Sequence, residues 1–101
     1  MKLSITDRLT LLQILPSEGD ILTIKIVRDL IDRLSFSEQE FKELNIRTEG
    51  NQALWDKEID IEVEIGPKAL AIIVAALEKL NQEKKLTVGY IPVYEKFVTG
   101  E

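Results

Sequence analysis

The sequence contains no cysteine and no histidine. Without cysteine there can be no disulfide, no thiolate nucleophile and no Cys-built zinc site. That composition suits a reducing compartment. Without histidine the chain lacks the side chain most used for proton transfer near neutral pH, which is also the commonest metal ligand. Long apolar runs are missing as well. The most apolar stretch, residues 69–77, is far shorter than the ~20 residues a bilayer-spanning helix needs. The opening Met1-Lys2-Leu3-Ser4-Ile5-Thr6-Asp7-Arg8 has no apolar core of a signal peptide. The expectation is a cytoplasmic protein with no membrane partner.

Basic charge is scarce too. Thirteen Lys and Arg stand against 18 Asp and Glu, for a net charge of −5. Nonspecific attraction to nucleic acid or anionic lipid is disfavoured by that balance. What remains is a globular composition. With 45% apolar and 31% charged residues, the 101-residue chain is suited to bury one core rather than to stay disordered. No repeat, low-complexity tract or linker divides it, so residues 1–101 read as a single domain.

Periodicity predicts a first helix over residues 6–15. Thr6 serves as its N-cap, Ile5, Leu9, Leu12 and Leu15 recur at three- and four-residue steps, and Pro16 stops it. A second helix over 21–34, capped by Ser17 or Asp20, carries an apolar stripe of Ile24, Val27, Leu30, Ile31 and Leu34. The third start is marked twice. Ser37-Glu38-Gln39-Glu40 is a capping box, and Phe36 and Phe41 stand at the positions of a hydrophobic staple. That helix, over 38–44, ends at Asn45.

Strand character follows. Ile59-Asp60-Ile61-Glu62-Val63-Glu64-Ile65 alternates apolar and acidic residues, the mark of a strand with one buried face. Its expected partner lies within 46–55, a segment either bulged or tightly turned at Gly50-Asn51, with Asp56-Lys57-Glu58 connecting the two strands as a hairpin. Gly66-Pro67 opens a core helix over 67–82. A last short helix lies within 87–98, with its start blurred by Pro92 and its buried side supplied by Tyr90, Tyr94 and Phe97.

The fold class is therefore α+β: three helices, a β-hairpin, then two helices, a winged-helix-like element order. Fold does not imply function, and here charge argues against the DNA-binding use of such an order. Residues 38–64 hold nine acids against three bases, a net −6, whereas the rest of the chain is +1. Such a surface would repel a phosphate backbone and forgo the counterion release that drives nucleic-acid binding. Catalytic patterns are absent as well. No Gly-rich phosphate loop, no Gly-x-Ser-x-Gly elbow and no histidine to activate Ser4, Ser17, Ser35 or Ser37 is present. The carboxylates show no EF-hand spacing. No catalytic residue, cofactor or metal site is expected.

Asp60, Glu62 and Glu64 are two residues apart on one strand, so they share a face. They are either its solvated side or a docking surface for a basic partner. Trp55, beside Asp56 at the expected hairpin end, is either a core plug or an interface anchor. These four residues form the candidate partner surface.

Three stretches resemble small uncharacterised proteins of phages and prophages of Gram-positive bacteria. They are Arg8-Leu9-Thr10-Leu11-Leu12-Gln13-Ile14-Leu15-Pro16, Phe36-Ser37-Glu38-Gln39-Glu40 and Val93-Tyr94-Glu95-Lys96-Phe97. The resemblance implies a viral or mobile-element context and carries over no functional residue, because these are packing and capping motifs. The leading expectation is a non-catalytic protein-binding module, a phage-type accessory or host-protein inhibitor acting as a homo-oligomer. One alternative is a winged-helix-derived nucleic-acid-associated regulator gathering Lys25, Arg28 and Arg33, or Lys79, Lys84 and Lys85, on one surface. Another is a small-ligand sequestering protein in which Arg47, Asn51 and Tyr90 converge on a cavity.

Overall fold

The chain opens with a strand that its pattern did not announce, β1 (Lys2–Ser4), in a computed structural model that describes residues 1–100. Ser4 then caps α1 (Ile5–Ile14) in place of Thr6. Its hydroxyl accepts from the Asp7 N–H at 3.1 Å, and the Asp7 carboxylate accepts from the Ser4 N–H at 3.1 Å, a reciprocal capping box. The buried side of α1 consequently differs from the expected apolar stripe. Ile5 and Leu11 are buried together with Asp7, Arg8 and Thr10, while Leu9, Leu12 and Leu15 are half-buried.

Asp20 caps α2 (Ile21–Leu34), accepting from the Thr23 N–H at 2.8 Å. Val27, Leu30 and Leu34 are its buried residues, whereas Ile31, expected on the stripe, is exposed. The third helix, α3 (Glu38–Leu44), starts as its double signal requires. Ser37 and Glu40 close the capping box, and the Phe36 and Phe41 rings meet edge to face with centroids 6.1 Å apart. Asn45 ends it in the left-handed region at φ 51°, a conformation asparagine tolerates, and turns the chain outward.

Segment 46–55 forms a complete hairpin by itself. β2 (Arg47–Glu49) pairs antiparallel with β3 (Gln52–Leu54), and Gly50 at φ 61° supplies the positive φ that the two-residue loop requires. The expected hairpin between this segment and the acidic strand does not form. The acidic strand, β4 (Asp60–Glu62), pairs instead with β1, placing Lys2 opposite Glu62, Leu3 opposite Ile61 and Ser4 opposite Asp60. The physical reason is local. A two-residue loop already satisfies β2 and β3 with each other, so β4 finds its partner at the other end of the chain.

The core helix α4 (Pro67–Gln82) begins at Gly66-Pro67 as the sequence reads, and it buries Ile73 and Leu77. The last segment is helical but irregular. A tight turn over Val88–Tyr90 leads into α5 (Ile91–Tyr94), and a wider turn over Glu95–Thr99 follows. Pro92 falls in the first turn of α5, where its missing N–H costs nothing. Val93 and Phe97 face inward, while Tyr90 and Tyr94 are only half-buried.

The architecture is thus mixed α+β, with three helices, a hairpin and further helices in that order. One cluster joins them. Leu3 of β1, Leu11 of α1, Leu30 and Leu34 of α2, Ile73 and Leu77 of α4, Val63 just after β4, and Val93 and Phe97 pack together. Each fully buried side chain of this size contributes about 1.5–3 kcal/mol. That cluster fixes β1, and β1 in turn fixes the position of β4.

Candidate functional site

Period-2 alternation in β4 sorts its side chains as the sequence predicts. Val63 is buried and Ile61 half-buried, while Asp60, Glu62 and Glu64 stand exposed on the opposite side. Their carboxylates are not equivalent. Glu62 Oε1 lies 2.6 Å from the Met1 amino nitrogen. The hydrogen bond from that ammonium, reinforced by its charge, holds the Glu62 carboxyl below the usual carboxylate range. Neither Asp60 nor Glu64 has a side-chain ion pair among the described residues. At Glu64 it is the backbone carbonyl that is held, accepting from Arg33 Nη1 at 2.9 Å.

Elsewhere in the acidic segment much of the charge is used inside the fold. Glu40 meets Arg8. Asp56 meets Arg47 at 3.0 Å, and Glu49 meets the same side chain at 3.7 Å. Glu58 accepts from the Ile5 N–H at 2.7 Å and the Thr6 N–H at 3.2 Å, both in the first turn of α1, where a carboxylate is favoured. Its second oxygen accepts from the Trp55 indole N–H at 2.9 Å. Of the exposed acids in this segment without an ion pair, Asp60 and Glu64 share the outer face at β4 and just beyond it, while Glu38 and Glu43 stand on α3.

Trp55 is separated from the other three candidates. It is half-buried, and its polar end is committed to Glu58 at the start of α1 rather than to the β4 sheet. Nor do the residues proposed for a ligand cavity converge. Tyr90 lines a cleft of about 90 Å³ with Leu86 and Tyr94, and neither Arg47 nor Asn51 borders it. Among the described residues no group of three or more acids could hold a metal ion. No helix among them is long and apolar enough to cross a membrane.

Two larger grooves flank α4. One, of about 510 Å³, runs between α2 and the start of α4 and is bordered by Ile26, Leu30, Arg33, Glu64, Pro67 and Ala69. It begins just past β4, since Glu64, two residues after the strand's last residue, borders it. The other, of about 460 Å³, lies between the end of α1 and the second half of α4. It carries the apolar side chains Ile14, Pro16, Ile72 and Leu80.

The residue that the sequence reading missed is Arg8. It is 1% exposed, yet every donor it carries near a partner is used. Nε donates to the Leu34 carbonyl at 3.1 Å and Nη2 to the Ser35 carbonyl at 2.8 Å, two acceptors at the C-terminus of α2. Nη1 donates to Glu40 Oε2 at 2.7 Å, and the guanidinium lies 4.0 Å over the Phe36 ring. Arg8 thereby joins the end of α2 to the capped start of α3. A signal was available: Arg8 stands three residues after Ile5 and three before Leu11, on the inward face of α1. The role it points to is structural.

The chain matches no family model, no curated protein and no solved structure.

Proposed function

We propose that this protein is a non-catalytic binding module that engages a basic protein partner through Asp60, Glu62 and Glu64. The observation that carries the reading is that these carboxylates stand exposed on one side of residues 60–64, on and just after a strand with a single paired neighbour. Complementary charge at such a surface steers encounter and fixes register more than it adds affinity. With the resemblance to phage and prophage proteins, the module is an accessory or an inhibitor of a host protein in the cytoplasm.

Affinity capture from a bacterial lysate tests it, comparing the natural chain with Asp60→Asn/Glu62→Gln/Glu64→Gln. A protein retained by the natural chain and lost with the triple variant is the expected result. Identical captured sets would contradict the reading.

A second reading, self-association, has its own support. Ile21 and Leu22 begin α2 with 71% and 60% of their surface exposed, and adjacent exposed apolar side chains favour burial against a second copy. Light scattering should give a dimer that Ile21→Glu converts to monomer, and a monomer at high micromolar concentration would rule it out. The nucleic-acid alternative has less support, because α3 presents Glu38 and Glu43 and Arg33 is already engaged by Asp29 at 3.1 Å.

A further inference from the structure

β1 and β4 form a two-stranded sheet, so each has one edge turned away from the other. The hydrogen-bonded pairs across it alternate. Val63 N–H donates to the Met1 carbonyl at 2.8 Å, and two residues along the ladder Leu3 faces Ile61. The backbone groups of Lys2, Ser4, Asp60 and Glu62 consequently point to the outer edges.

The two edges are treated differently. On β1 the Lys2 carbonyl and the Ser4 N–H are occupied. Lys96 Nζ donates to the Lys2 carbonyl at 3.1 Å, and the Ser4 N–H donates to Asp7 Oδ2 at 3.1 Å. Lys96 and Asp7 are themselves paired at 2.7 Å, which closes that edge with the C-terminal segment. On β4 nothing among the described residues takes the outward N–H and C=O groups of Asp60 and Glu62. Only the neighbouring Glu64 carbonyl is covered, by Arg33. Beyond it lies the groove bordered by Ile26, Leu30, Pro67 and Ala69.

An unpaired edge is a template for another strand unless it is shielded. The shield here is charge alone, and it selects the occupant. Two copies joined edge to edge through β4 would set Asp60 and Glu62 against each other's acids, an arrangement that costs stability. A strand bearing Lys or Arg at those positions would gain from the same geometry. We propose that the open edge of β4 is a docking site for an extended basic segment of a partner protein. That segment adds as a third strand beside Asp60–Glu62, with Lys or Arg facing Asp60 and Glu62 and apolar residues alternating between them. The proposal rests on the reading of the acidic face as a protein-binding surface. Main-chain hydrogen bonds provide affinity in such strand addition, and the alternating side chains provide specificity.

The test uses the full chain and two short synthetic peptides. One alternates lysine and valine, and the other is the same peptide N-methylated at its lysines, which keeps the charge and removes the donors facing β4. The unmodified peptide should bind and slow amide hydrogen exchange at Asp60 and Glu62, and N-methylation should weaken binding about tenfold or more. Asp60→Pro, which removes an outward N–H at an edge position where proline is tolerated, should weaken it more than Asp60→Asn. Equal binding of both peptides without protection of those amides would overturn strand addition and leave charge-only docking. Failure of both peptides to bind would overturn the acidic-face reading with it.

Discussion

Arg8 and Glu40 meet in a two-pronged pair although they lie on different helices. Nη1 reaches Oε2 at 2.7 Å and Nη2 reaches Oε1 at 3.1 Å. The same Glu40 Oε1 accepts from the Ser37 N–H at 3.1 Å, so one carboxylate serves the capping box of α3 and the guanidinium that holds α2. The planar fork of arginine fits this arrangement, and the compact ammonium of lysine cannot reproduce it.

Removing the guanidinium should therefore be costly. Arg8→Ala leaves the Leu34 and Ser35 carbonyls without their donor and opens a void under Phe36. We expect a loss of about 3 kcal/mol in urea unfolding, at the lower end of values for breaking a buried pair because Glu40 keeps some solvent contact. Arg8→Lys should lose more than about 1 kcal/mol, since one ammonium replaces four directed hydrogen bonds. A loss below that for Arg8→Ala would show that the joint is held by packing alone.

The same pair sets a pH dependence. Hydrogen bonds from Arg8, then those from Ser37, hold the Glu40 carboxyl below its ordinary value of 4.5, outweighing the opposing effect of burial. A carboxyl lowered in the folded state stabilises the fold above its unfolded value, and that contribution is lost as pH falls through the folded value. Stability should thus decline on acidification below about 4.5, and Glu40→Gln should flatten part of the decline while lowering the plateau. Urea midpoints of both proteins across acid pH measure this. Asp20 and Glu62 shift in the same direction, but both are solvated, so their share is screened.

Trp55 offers a local probe, being the only tryptophan. Glu58→Ala frees the indole N–H and removes the acceptor of the Ile5 and Thr6 N–H groups. We expect a shift in tryptophan emission together with a loss of about 1 kcal/mol, the typical cost of losing a helix cap. An unchanged spectrum would mean that the indole does not depend on Glu58.

Much of this fold was legible where the signal is local. The capping box at Ser37 and Glu40, the Phe36–Phe41 staple, the Gly66-Pro67 start of α4 and the inward and outward faces of β4 all depend on residues within a few positions of one another. What was not legible depends on distance along the chain. The partner of β4 is a three-residue strand at the far N-terminus, too short to show alternation. The Thr6 cap yielded to Ser4 because only Ser4 has Asp7 at the third helical position to complete a reciprocal box. Arg8 reads as a surface charge until Leu34, Ser35, Phe36 and Glu40 are brought around it. The candidate surface divided likewise: Asp60, Glu62 and Glu64 share a face by period alone, while the Trp55 bond to Glu58 belongs to the turn before β4.

Docking of a basic strand requires that β4 have an open edge, and amide hydrogen exchange of the free protein measures that directly. The N–H groups of Ile61 and Val63, which face β1, should exchange slowly, while those of Asp60 and Glu62 exchange at nearly the rate of an unstructured chain. Equal protection at all four positions would contradict the account, because the edge would then already be covered.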